Sequence, residues 1–99
     1  MEKQIQDFLT FLQVEKNASG HTTKNYRIDL REFCQFSGKK GLADIQYQDI
    51  RSFLALLKSR SFSKNSIARK LACIRSFFKY LARENLLKTN PAAGLAVMV

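Results

Sequence analysis

Residues 63–84 read SKNSIARKLACIRSFFKYLARE, and the fold turns on this stretch. Ile67, Leu71, Ile74, Phe78 and Leu81 recur at steps of three and four, the spacing of one face of an α-helix. Ser63 stands where an N-cap oxygen can accept a free backbone N–H. Asn85 supplies a stop, so the predicted helix runs from about Lys64 to Glu84. Its apolar stripe covers only about two heptads, too short for a coiled coil.

Outward from this helix, punctuation isolates three more periodic blocks. The first runs from about Glu2 to Lys16, with Ile5, Phe8, Leu9 and Leu12 on one face. Asn17-Ala18-Ser19-Gly20 breaks it. The second runs from about Gly20 to Ser37 behind a Ser19 N-cap, burying Tyr26, Leu30, Phe33 and Cys34, and Gly38 ends it. A Gly38-Lys39-Lys40-Gly41 turn follows, with Lys39-Lys40 solvated or touching backbone phosphate, and Leu42 and Ile45 anchor the next loop. The third block runs from about Gln46 to Arg60, with Ile50, Phe53, Leu54 and Leu57 inward. Ser61-Phe62-Ser63 leads to the fourth. Leu86–Val99 reads as a tail with a turn at Asn90-Pro91. No period-two alternation appears, so the expected fold is all-α, four helices around one core.

The 99 residues suit one domain, and 45% hydrophobic content suffices for a core. Apolar runs are too short to span a membrane, and the N-terminus is no secretory signal. Cys34 and Cys73 lie far apart with no CxxC spacing. They are expected to be packed thiols in a cytoplasmic, reducing setting, not a disulfide framework. No Gly-rich phosphate loop, nucleophile–base pair or metal-spaced carboxylates are visible, so no catalytic residue, cofactor or metal is expected in this chain.

Charge is the strongest signal. The net charge is +9, which points to a polyanion. Residues 1–20 carry −1, residues 21–40 carry +3, residues 41–60 carry +1, residues 61–80 carry +5 with no acid, and residues 81–99 carry +1. Opposite the apolar stripe, the fourth helix presents Asn65, Arg69, Ala72, Ser76, Lys79 and Arg83, with Ala68 and Arg75 on the flank. Long cations alternate with small side chains, which lets a helix backbone approach a major groove while Arg and Lys reach phosphates or guanine edges. The alternative is a solvated face with Ala present for helix propensity. The absence of acids weighs against it, because an ordinary solvated face mixes signs to form i, i+4 pairs.

The second helix repeats the pattern less clearly, with Lys24, Arg31 and Gln35 outward and Arg27 beside them. Both helices begin at a serine cap followed by Thr22, Thr23 and Lys24 or by Lys64 and Asn65. Such N-termini can seat phosphate, although capping alone explains part of this. Lone His21 is a cap, a surface residue or a phosphate contact. Ile28 lies off the buried face, packing on the first helix or touching a thymine methyl. Phe11 and Val14 fill the core from another side or mark a protein contact. Phe78 reads as core, and Phe77 as core rim or an inter-domain surface.

A family resemblance then emerges. Phe8-Leu9-x-x-Leu12, Glu15-Lys16-Asn17-Ala18-Ser19 and Thr23-x-x-Tyr26-x-x-Asp29-Leu30-x-x-Phe33 resemble the opening of tyrosine recombinases, the phage integrases and Xer-type recombinases. Asp49-Ile50-x-x-Phe53-Leu54, Ser63-x-x-Ser66-Ile67-Ala68-Arg69-Lys70-Leu71 and Ile74-Arg75-Ser76-Phe77-Phe78-Lys79-Tyr80-Leu81 continue it, and Asn90-Pro91-Ala92 matches its end. Gly20 stands where many relatives have Pro, which predicts a looser first turn of the second helix. The resemblance implies a four-helix, SAM-like core-binding domain over residues 1–85, with residues 86–99 beginning a linker to a catalytic domain absent from this chain. It implies sequence-specific binding of a double-stranded DNA recombination site as one half of a clamp, in DNA recombination or integration. The partners implied are the catalytic domain of the same parent chain, which cleaves and rejoins strands through a phosphotyrosine, and other recombinase protomers, four acting on two sites. No membrane partner is implied.

By position, the DNA-binding residues implied are Thr22, Thr23, Lys24 and Arg27 on the second helix, and Lys64, Asn65, Arg69 and Arg75 on the fourth. The helical wheel adds Arg31, Ser76 and Lys79. The family's first helix often contacts neighbouring subunits, which favours Phe11 and Val14 as interface positions. The catalytic Arg, Lys, His-x-x-Arg and late Tyr of the family have no counterpart here, and Tyr26, Tyr47 and Tyr80 match structural positions. Two other functions fit the residues: a SAM-like protein-interaction domain with a basic face, and a free-standing small helical DNA-binding regulator.

Overall fold

The computed structural model describes residues 1–38 and 40–94. Four helices form: α1 (Glu2–Glu15), α2 (Gly20–Ser37), α3 (Tyr47–Ser59) and α4 (Lys64–Arg83), with a short 3-10 turn at Leu42–Asp44 between α2 and α3. Each lies within a residue of the span its periodicity predicts. Among the described residues there is no strand, and no helix is long and apolar enough to cross a membrane. Lys39 and residues 95–99 of the expected tail lie outside the described residues.

The helix ends follow local chemistry. The Ser19 hydroxyl accepts the Thr22 N–H and the Ser63 hydroxyl accepts the Ser66 N–H, each at 3.2 Å, so each predicted cap satisfies a donor that lacks an intrahelical partner. At the start of α3 the Asp49 carboxylate accepts the Gln46 N–H at 2.8 Å and pairs with Lys40 at 2.8 Å. Lys40 is therefore engaged, not simply solvated as expected. Beyond α4, Asn85 turns left-handed with φ 60°, and the Leu86 N–H reaches back to Leu81 O at 2.9 Å. Asn tolerates this backbone because its short polar side chain bonds locally. Gly38 ends α2 at φ 65°, ψ −124°, a combination that side chains disfavour.

Helices α2 and α4 are the central pair. Each packs against the other three, while α1 and α3 make no approach to one another among the described residues. Five fully buried phenylalanines run through the core from α1 to α3. Phe8 meets Phe77, Phe77 meets Phe78, Phe78 meets Phe33 and Phe33 meets Phe53, with ring centroids 5.2–6.2 Å apart in tilted or edge-on geometries. Such pairs add to burial because a ring edge is positive and its face negative.

Phe77 corrects an expectation. It is not core rim or an inter-domain surface; it is completely buried. Flanked by three helices, α4 buries Lys70, Cys73 and Phe77 as well as Leu71, Ile74, Phe78 and Leu81, an arc wider than one stripe. The tail also does more than expected. Leu87 packs on the core and Ala92 is buried within it, held by a turn in which Asn90 accepts the N–H groups of Ala92 and Ala93.

Candidate nucleic-acid interface

The sequence-predicted site residues divide by whether the fold already engages them. Thr23 is buried, and its hydroxyl donates to Gly20 O at 3.1 Å. It stands inside the first turn of α2, on the arc that the helix buries, and not on the surface with Lys24. Thr22 caps with Ser19, their hydroxyls 3.1 Å apart.

Arg27 and Arg31 point toward α1. Arg31 donates to Glu2 Oε1 from Nη2 at 2.7 Å and from Nε at 3.2 Å. Arg27 donates to Gln6 Oε1 at 2.6 Å and lies 3.7 Å from the Glu2 carboxylate. The Arg31 hydrogen bond first, against the opposing effect of burial, and then the charges of Arg31 and Arg27 hold the Glu2 carboxyl below its ordinary value. Helix α1 thus engages two cations of the predicted α2 set, with the single carboxylate of Glu2 offsetting one of their two charges.

The outer face of α4 is different. Lys64, Asn65, Arg69, Ala72, Ser76 and Lys79 are exposed and Arg75 is half-buried. The helix carries no acidic residue. Among the described residues Lys24, Lys64, Arg75 and Lys79 form no ion pair. Arg75, Ser76 and Lys79 share an open groove with Asn90 and Ala93, so the returning tail forms one wall of this face. On the other side of α4, Ser76 and Lys79 line a hollow with Lys16 and Arg83. Lys16 therefore adjoins the basic face, which its place in an acidic segment did not suggest. The Arg83 guanidinium lies 4.4 Å over the Phe11 ring, which also packs on Tyr80. Phe11 is thereby covered, whereas Val14 is 76% exposed. Ile28 is exposed and does not pack on α1 as a buried contact.

One cluster went unread in the sequence. Lys70 is buried between α2 and α4, with Nζ 2.9 Å from Asp29 Oδ1 and 2.8 Å from Glu32 Oε1. Arg69 Nη2 reaches the same Asp29 oxygen at 3.2 Å. Burial pushes the Lys70 ammonium down, but the hydrogen bonds and charges of Glu32 and Asp29 outweigh it and hold it above the ordinary lysine range. Behind them, burial first and the Asp29 charge second push the Cys73 thiol far up, so it is a packed, protonated side chain. The absence of acids on α4 beside two acids on α2 was the available sequence signal.

Fold and sequence together define the class: the chain belongs to the family described as phage integrase, N-terminal SAM-like domain, whose pattern matches residues 5–85. Its relatives are more particular. It is 42% identical over 98 residues to the tyrosine recombinase XerC of Oceanobacillus iheyensis, covering 96% of this chain and 32% of that protein. The tyrosine recombinases XerC of Anoxybacillus flavithermus and Natranaerobius thermophilus are 43% and 40% identical, over 87% and 97% of this chain and 30% and 33% of theirs. The chain thus spans about a third of the length of the curated relatives it matches.

Proposed function

We propose that this domain docks on duplex DNA through the outer face of α4 and the adjoining surface of α2, as the N-terminal clamp of a site-specific recombinase acting in the cytoplasm. The observation that carries the reading is the exposed face of α4, where Lys64, Arg69 and Lys79 are spaced by Ala72 and Ser76 on a helix without an acid. Small side chains permit close approach to a groove, and the long cations replace counterions condensed on the phosphates. Lys24 extends the surface on α2. Arg27 and Arg31, paired with α1, hold the two helices together and add charge at the edge. Thr23 supports the α2 N-terminus from inside.

The parent protein's catalytic domain and neighbouring protomers complete the assembly, with exposed Val14 as the contact position on α1. The test is titration of the chain against duplex DNA at several salt concentrations. Salt-sensitive binding supports the reading, and no binding at low ionic strength favours a protein-interaction domain instead.

A further inference from the structure

We propose that Asp29 is a positioning residue for DNA docking: from its buried place on α2 it holds the Arg69 guanidinium of α4 in one orientation, so that Arg69 meets the phosphate backbone already ordered. The inference rests on the reading of the α4 face as the DNA surface.

A carboxylate beside a polyanion-binding face repels the ligand, so its presence there needs a reason. Asp29 is 1% exposed, and its Oδ1 accepts from both Lys70 Nζ and Arg69 Nη2. Lys70 is also buried and turned inward, where it meets Glu32 as well. Lys70 therefore ties α2 to α4 but presents nothing to a ligand. Arg69 is half-exposed. Of the five N–H donors of a guanidinium, the structure uses one, on Nη2, and the side chain is fixed from beneath while its exposed part faces outward. Lys24, Lys64 and Lys79 have no such anchor, and each must give up its rotamer freedom on docking. An anchored arginine gives up less, and its planar fork suits phosphate geometry.

Charge and positioning predict opposite signs for one substitution. Asp29→Asn raises the net charge, so charge alone predicts tighter DNA binding. Positioning predicts that D29N weakens binding about three- to tenfold. It also predicts that Arg69→Ala weakens binding comparably and that the double variant D29N/R69A is no weaker than R69A. Binding by D29N that is unchanged or tighter, or losses that add in the double variant, overturns the proposal. Should D29N fail to fold, the unsubstituted chain decides without DNA. Nitrogen relaxation at Arg69 Nε should show order close to that of the helix backbone, against free motion at exposed Arg60. Equal mobility at the two sites overturns the proposal. Loss of the DNA reading itself is separable, because the unsubstituted chain would then bind no duplex at low salt while Arg69 remained ordered.

Discussion

Lys70 Nζ lies 2.9 Å from Asp29 Oδ1 with both side chains at least nine-tenths buried, so an ion pair joins the two central helices where an apolar contact would ordinarily stand. Removing one member of such a pair leaves the other charge buried. Lys70→Met should therefore destabilise the chain by about 3 kcal/mol in urea unfolding, despite the apolar replacement, because Asp29 and Glu32 lose their shared cation. The folded-state value of Lys70 is raised, so its contribution is fully present below the ordinary 10.5 and is lost as pH rises through the folded value. Unfolding midpoints measured from pH 9 to 12 should fall in the unsubstituted chain and less steeply in K70M, where the remaining fall comes from groups such as the buried Cys73 thiol that ionise only on unfolding.

Phe77→Ala removes the ring that links Phe8 of α1 to Phe78 of the same helix. A cost of about 3–5 kcal/mol is expected, a large share of the roughly 5–15 kcal/mol that holds a domain folded. A thermal midpoint within a few degrees of the unsubstituted chain would place Phe77 at the rim after all.

The Glu2–Arg31 pair gives an acid-side prediction. Glu2 sits below its ordinary 4.5 in the folded state, so its contribution is present above that value and lost as pH falls through the folded value. Both side chains are more than half exposed, so the effect is small and screened by salt. Glu2→Gln should flatten the decline in thermal midpoint between pH 5 and 3, measured at low salt. An unchanged slope would mean that the pair contributes nothing to stability.

What the sequence made legible was local. Ser19 and Ser63 cap as expected because a cap needs only the residues within one turn of it. Asn85 stops α4 for the same reason. The core positions Ile5, Phe8, Leu30, Phe33, Ile50, Phe53, Ile74 and Phe78 emerge from spacing because each helix has one face that must leave water. What was not legible depends on neighbours. A lysine inside a basic stretch looks alike whether it faces water or Asp29, and the register of α2 on α4 decides which. Phe77 is buried because α4 has three partners, a number periodicity does not carry. Arg27 and Arg31 fall outside the apolar stripe of α2, but nothing local shows that Glu2 and Gln6 of α1 stand beside them. Ala92 enters the core only because the chain returns along α4.

The central claim is that the exposed face of α4 meets duplex DNA, and one titration series tests it most directly. Binding of the 99-residue chain to duplex should weaken with salt at a log–log slope of about −5, the value for roughly six phosphates neutralised. Replacing Lys64 and Lys79 together with Ala should weaken binding and make the slope shallower by about 2. Replacing Lys3 and Lys58, which lie on α1 and α3, should leave binding within a small factor of the original. Lys16 is unsuited as that control because it lines the hollow beside Lys79. Equal losses from the two pairs, or binding insensitive to salt, would contradict the account.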